Sequence, residues 1–222
     1  MAQRPVYLPV LAGDTLVTSR QVEFVWHPGF AISQKRRNIS ALREAARSQG
    51  WSPLLEISSK SDAELGRCLS AFNLTLVSEQ YGTLTVEAAF QGSKVFTVGG
   101  PHTDLFQLHG REIKRDERLK GHLVAFEFEG ERWQLQPTTA FYDWLYIRAL
   151  HGHAELRDAV LSYVGFTDIE FNPRRSLNCQ ARAAATYVAL RNRGLIEPLL
   201  ASRELYLAAV GGGQLRLRLE PH

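Results

Sequence analysis

Apolar residues recur along this chain with two different periods, and the switches between them mark out its elements. In PVYLPVLAGDTLVTSRQVEFVWHPG, β-branched and polar residues alternate on either side of a Gly-Asp pair, which predicts two short strands joined as a hairpin. SQKRRNISALREAARSQG changes to helical spacing, with Ile39, Leu42, Ala45 and Ala46 on one face and Gly50 as the stop. LLEIS predicts a short strand. SDAELGRCLSAF predicts a second helix beginning at Asp62, with Ser61 and Glu64 three apart as a capping box. TVEAAFQGSKVF predicts the next helix, set between Tyr81-Gly82 and the loop Gly99-Gly100-Pro101.

LVAFEFEGERWQL alternates around Glu129-Gly130 and predicts another hairpin. PTTAFYDWLYIRALHG and HAELRDAVLSYVG predict two successive helices with glycine stops. TDIEF is a short strand, and SLNCQARAAATYVALRNRG is the longest helix, ended by Gly194. The tail ELYLAAVGGGQLRLRLE alternates Leu with Arg across a glycine turn, predicting a terminal hairpin with one solvated face. Strands and helices mix without a regular βαβ rhythm. The expected class is therefore α+β, a helix-rich core with peripheral short strands and hairpins.

Composition narrows this picture. The chain has 222 residues, 45% hydrophobic and 22% charged, enough apolar material for one sizeable core. The expectation is one domain over residues 1–222, with a hairpin plus helix at 1–50 and a hairpin at 200–220 as additions. The net charge of +3 neither demands nor excludes a nucleic-acid partner. Its distribution is more telling, with basic clusters at Lys35 to Arg37, Gly110 to Gly121 and Asn172 to Asn178, each beside an expected loop or helix start. Cys68 and Cys179 are far apart in helix-like patterns, which argues against a disulfide scaffold or a cysteine zinc site and fits a reducing cytoplasm. Pro5 and Pro9 interrupt an N-terminus with no continuous apolar core, so no signal peptide is expected. No run approaches the ~18 apolar residues of a membrane span.

Several chemistries lack sequence support. There is no GxxxxGK[ST] loop, no GxGxxG after a strand, no HExxH and no GxSxG elbow. His151 and His153 have no third ligand nearby, and a polar connection between helices accounts for them. The expectation is chemistry without metal or cofactor, carried by carboxylate, lysine and arginine.

Glu87, Phe90, Gln91 and Lys94 stand at i, i+3, i+4 and i+7, so one continuous helix puts them on one stripe. Such a stripe fits a planar ligand on Phe90 with Glu87 and Lys94 at its polar edges. It equally fits a solvated helix face whose aromatic ring dips into the core. Asp143 is the one charge in TAFYDWLYI, which places it at a core boundary with either a ligand or an arginine as partner. Asn178, near the start of the last long helix, could cap backbone N–H groups, or the helix end there could receive a phosphate.

LSAFNL followed by TVEAAFQGSKVF resembles the paired motif of the NADAR family, in which a Leu-Ser-Asn-Phe segment precedes a Ser-Glu-His-Tyr-Phe-Gln-Ala-x-Lys-Phe helix. Glu87, Phe90, Gln91 and Lys94 match that helix position by position. HGREIKRDERL is similar to the family's Gly-Arg segment, with Arg111 on its arginine. TDIEF and SLNCQARAAATYVAL look like its closing Val-Glu strand and Asn-x-Leu-Gly helix, with Glu170 and Asn178 on matching positions. The resemblance covers about residues 56–193. Ala71 stands where the family usually has Asn, Ala88 and Ala89 replace its His and Tyr, and Asn172 to Arg175 occupy the place of its Trp-Gly pair. The terminal additions and PHTDLFQ resemble the branch associated with DarT toxins, which ADP-ribosylate guanine in DNA.

The resemblance implies hydrolysis of an N-glycosidic bond between ribose and a base nitrogen, with ADP-ribosylated guanine in DNA as substrate and an antitoxin role. Such a bond breaks through an oxocarbenium-like centre, which needs an anion near the anomeric carbon and an acid or base at the leaving nitrogen or water. Glu87 suits either role. Lys94 suits a Schiff base with ring-opened ribose or a pair with phosphate. The resemblance further implies that Phe90 stacks on base or ribose, that Arg111 and the Asn178 helix start hold the diphosphate, and that Gln91, Glu170 and Asp143 orient. The basic loops would track the DNA backbone, and the base would be presented single-stranded or flipped. Two alternatives stay open: an N-glycosidase for a small ribosylamino-pyrimidine phosphate, and a non-catalytic module that binds toxin or ADP-ribose.

Overall fold

The computed structural model describes residues 1–113, 115–173 and 176–210. Its elements run β1 (Ala2–Pro9), β2 (Val17–Phe24), α1 (Ile32–Arg47), β3 (Leu54–Glu56), α2 (Glu64–Cys68), β4 (Thr75–Ser78), β5 (Gly82–Thr85), α3 (Val86–Gly92) and β6 (Lys94–Phe96). They continue as α4 (Gly110–Ile113), β7 (Leu123–Phe128), β8 (Glu131–Trp133), α5 (Ala140–Gly152), α6 (Ala154–Ala159), β9 (Gly165–Thr167), α7 (Gln180–Asn192), α8 (Ile196–Ala201) and α9 (Arg203–Val210). The class is α+β, as the mixed periodicity predicts.

The core forms around α5 and α7, which are buried on nearly every side. Ala181, Ala183, Ala184, Ala185 and Ala189 of α7 are fully buried, and their small side chains let that helix approach α5, β1 and β9 closely. One sheet runs β2-β1-β9-β3, with β1 and β2 antiparallel and β3 and β9 parallel. Tyr7 of β1 pairs with Phe166 of β9, so the N-terminal hairpin is joined to the rest through the sheet. Helix α1 covers it, burying Ile39, Leu42 and Ala46 against Val6, Val22 and Phe24. Ile39, Leu42, Val6 and Val22 each contribute about 1.5–3 kcal/mol by burial and Ala46 less, which holds the hairpin against the body. The β7–β8 hairpin turns at Glu129 and Gly130, both with positive φ, as expected of a two-residue turn.

Five local expectations are corrected. Helix α2 begins at Glu64 rather than Asp62, and no side chain caps it. The Ser61 hydroxyl is buried without a partner against Gly66, while Arg67 holds the Ser61 and Asp62 carbonyls, so the capping box does not form. Helix α3 ends at Gly92, and Lys94 opens a strand. A Cβ on Gly92 would meet the Phe106 ring at 2.6 Å, and Ser93 closes the helix through its hydroxyl to the Ala89 carbonyl at 2.6 Å. Val95 then pairs with Ala125 of β7, because a β-branched and aromatic run favours the ladder over another helical turn. The strand expected over TDIEF stops at Thr167, and the Asp168 carboxylate folds the next residues into a turn by accepting the Glu170 and Phe171 amides. Helix α7 is shorter than α1, starts at Gln180, and has Cys179 at its N-cap with no side-chain bond, so Asn178 does not cap it. The terminal hairpin is helix through Val210, and the remainder of that expectation lies outside the described residues.

Candidate active site

Helix α3 is fixed at its start by three contacts. Thr85 Oγ1 accepts from the Ala88 amide at 3.2 Å, and the Val86 and Glu87 amides donate to the Leu74 and Ala71 carbonyls at 2.9 Å each. These amides have no partner inside the helix, so the Leu69–Asn73 segment orients α3. The Gln180 side chain anchors that segment in turn, accepting from the Ala71 amide at 2.8 Å and donating to the Ile57 carbonyl and to Asp168.

Glu87, Gln91 and Lys94 form a chain on this frame. Gln91 Nε2 donates to Glu87 Oε1 at 3.2 Å, and Gln91 Oε1 accepts from Lys94 Nζ at 2.6 Å. Only one orientation of the amide satisfies both neighbours, with its nitrogen toward the carboxylate and its oxygen toward the ammonium. Lys94 Nζ lies 5.0 Å from the Phe90 ring centroid. Although Lys94 is off the helix, the tight exit through Ser93 returns its side chain to the stripe. The Phe90 ring itself is 7% exposed and packs among Phe126, Phe141 and Tyr142. It is a floor with an exposed edge rather than an open stacking face.

Two cavities meet over this chain, sharing Phe90, Gln91, Tyr142, Ser176 and Asn178. Glu87 opens onto one, of about 530 Å³, with Arg4, Trp26, Lys35, Asp168 and Glu170 around it. Lys94 opens onto the other, of about 590 Å³, whose walls are richer in apolar residues such as Phe126, Leu135 and Pro137. Carboxylate and ammonium thus face opposite halves of one cleft, with Gln91 on the ridge. Burial, and then the Glu87 charge, keep the Tyr142 hydroxyl well above the ordinary tyrosine range, so it stays protonated at the base of the cleft.

The remaining predicted residues divide. Glu170 and Asn178 line the cleft, and Glu170 is paired with Lys35 at 2.8 Å. Arg111 belongs to α4, and its side chain lies outside the described residues, as do Arg174 and Arg175. Asp143 lies elsewhere. Its Oδ2 accepts from Arg182 at 2.6 Å and Thr139 at 2.8 Å in a smaller cavity of about 140 Å³ that shares Pro137, Thr138, Thr139 and Ala140 with the Lys94 half of the cleft. The arginine partner expected for a buried helix acid is thus present, and Asp143 does not face Glu87. His151 contacts the Tyr187 hydroxyl and His153 the Thr75 carbonyl, so both serve helix packing.

Three contributions escape a sequence reading. The N-terminal hairpin and α1 supply Arg4, Trp26 and Lys35 to the cleft wall, with both cations near the Trp26 ring, at 5.2 and 5.9 Å. Gln180 acts across more than a hundred residues of sequence, and nothing local signals it. Asp168 is buried beside the fully buried Glu56, and burial, then that neighbouring carboxylate, push its pKa up to about 8. Its three N–H donors hold the loop that carries Glu170.

The family model of the DarT1-associated NADAR antitoxins matches residues 2–217. The chain belongs to this family. The match extends well beyond the central motifs and takes in the hairpin and helix that wall the cleft, so in this NADAR protein they are family features. Membership places the chain among antitoxins associated with DarT1 toxins. No curated protein matches its sequence. Among the described residues of this NADAR chain no helix is long and apolar enough to cross a membrane, and no cluster of His, Cys, Asp and Glu could hold a metal ion.

Proposed function

We propose that this NADAR chain is an N-glycosidase that removes ADP-ribose from guanine bases of DNA, reversing the modification made by a DarT1-type toxin. The observation that carries the reading is the ridge arrangement, with Glu87 opening to one cavity, Lys94 to the other and Gln91 bonded to both. A substrate with a base on one side of the scissile bond and a dinucleotide-like moiety on the other needs two joined chambers with the reactive groups at the junction.

In the proposed reaction water adds to the anomeric carbon while the bond from that carbon to the guanine nitrogen breaks. The nitrogen keeps the electron pair and takes a proton. Glu87 removes the water proton and supplies one to the nitrogen, a role in which one positioned group contributes ~10²–10⁴ in rate. Lys94 has two roles consistent with its position, a cation for the diphosphate or an amine that forms a Schiff base with ring-opened ribose. Borohydride treatment during turnover separates them, since only the second leaves a reduced adduct on Lys94. Phe90 floors the junction, Glu170 and Asn178 orient, and Arg111 binds phosphate by its match to the family arginine. The test is incubation of a guanine-ADP-ribosylated DNA oligonucleotide with the wild type and Glu87→Gln. Unmodified DNA recovered with the wild type alone supports the reading, and no release by either protein overturns it.

A further inference from the structure

The stretch from Trp26 to Arg37 does not end at the cleft. Trp26 and Lys35 line the cavity of Glu87, while His27, Ser33, Arg36 and Arg37 from the same stretch line a second, open groove of about 720 Å³. Phe30, between these residues in sequence, is 98% exposed. An aromatic ring with almost no protein contact contributes nothing to the core and keeps its faces available. Arg4, Arg36 and Arg37 have no acidic partner among the described residues, and the first turn of α1 carries no acid. The nearby carboxylates are engaged, Glu170 by Lys35 at 2.8 Å and Asp62 by Arg43 at 2.6 Å. Arg4 and this stretch therefore carry cations without acidic partners and an exposed ring, with Arg4 lining the cleft and Arg36 and Arg37 the groove.

We propose that this face, from Arg4 past Phe30 to Arg36 and Arg37, binds the single-stranded DNA that flanks the modified base. Phosphates lie along the arginines, and one neighbouring base stacks on Phe30. Unpaired cations and an exposed aromatic ring within one stretch match the chemistry of an unpaired strand, where backbone charge repeats and each base offers a π face. The inference rests on reading the Glu87 cleft as the seat of a modified DNA base, and it says how the strand enters.

The test is fluorescence anisotropy with an unmodified, fluorescein-labelled single-stranded DNA 12-mer, using the full chain and variants checked for unchanged melting temperature. Phe30→Ala is expected to weaken binding roughly 5- to 160-fold, the range for loss of one stacked base. Arg36→Ala/Arg37→Ala is expected to weaken binding and to lower the slope of log affinity against log salt by about 1.4, the value for two phosphate contacts on a single strand. No binding by the wild type at low salt, variants that bind like the wild type, or a duplex competing as well as the single strand each overturns the proposal. Release of ADP-ribose is scored separately. Strand binding without release refutes the proposed reaction alone, and release with unaffected variant binding refutes this surface alone.

Discussion

Gln91 Oε1 accepts a 2.6 Å hydrogen bond from Lys94 Nζ across the junction between the end of α3 and the start of β6. Its amide nitrogen is simultaneously bonded to Glu87, so one neutral side chain fixes the spacing of both ionisable groups. Gln91→Leu is isosteric enough to keep the helix and removes both bonds. At about 1–2 kcal/mol for lost positioning of charged partners, kcat/KM for release of ADP-ribose should fall about tenfold while the melting temperature stays within a degree or two. Unchanged kinetics in this variant would remove Gln91 from the mechanism.

Glu87→Gln keeps the volume and the backbone anchor of α3 to Ala71 but ends proton transfer. Release should drop by ~10²–10⁴ with substrate binding retained, as read from single-turnover rates and equilibrium binding of the modified oligonucleotide. A drop confined to binding would make Glu87 a recognition group.

Gly92 has no room for a methyl group, since a Cβ there would lie 2.6 Å from the Phe106 ring and 3.0 Å from the His102 carbonyl. Gly92→Ala should destabilise the protein by about 1–3 kcal/mol, measured by urea unfolding. An unchanged midpoint would show that Phe106 moves aside at no cost.

Arg182→Ala leaves the Asp143 carboxylate buried with Thr139 as its one remaining partner. A fully buried pair broken in this way loses about 3–5 kcal/mol, and the 41% exposure of the Arg182 side chain reduces the expectation to about 1–3 kcal/mol. Because Asp143 and Arg182 line neither half of the cleft, the main loss should appear in unfolding, with any change in KM reaching the cleft only through Thr139.

Asp168 gives a pH dependence whose sign follows from its raised pKa. The folded protein holds its proton up to about pH 8, whereas an unfolded aspartate releases it near its ordinary value of 3.8. The folded state therefore binds more protons between these values, and this contribution to stability is complete below about pH 4 and lost as pH rises toward 8. Melting temperature across pH 5–9 should fall with rising pH, and Asp168→Asn should reduce the slope, leaving the share due to the buried Glu56, whose pKa burial also raises. A wild-type curve rising over that window would contradict the assignment.

The hairpins at residues 5–29 and 123–135, helix α1 and helix α5 were legible because each depends on local rules: alternation, positive-φ turn residues and helical spacing with glycine stops; the helix expected over HAELRDAVLSYVG ends instead at Ala159, and its Gly165 opens β9. The Glu87, Phe90, Gln91 and Lys94 set was legible as a spacing, although what brings the four together differs from what the spacing suggests. A seven-residue helix and a sharp exit bring Lys94 back, where a continuous helix would have been straight. The Ser61 capping box and the strand at TDIEF misled because other local hydrogen bonds, from Arg67 to the Ser61 and Asp62 carbonyls in one case and from the Glu170 and Phe171 amides to the Asp168 carboxylate in the other, outcompeted the expected pattern.

By itself the sequence determined the class of the fold, the motif helix and the family resemblance, because these rest on residue types at short separations. Only the tertiary structure decided what surrounds that helix. Gln180 reaches Ala71 across 109 positions, Asp143 takes Arg182 as its partner, and Arg4, Trp26 and Lys35 arrive from the N-terminus to wall the cleft. Contacts of that kind arise when a buried polar group must find a partner or when a sheet brings distant strands together, and no local period encodes them.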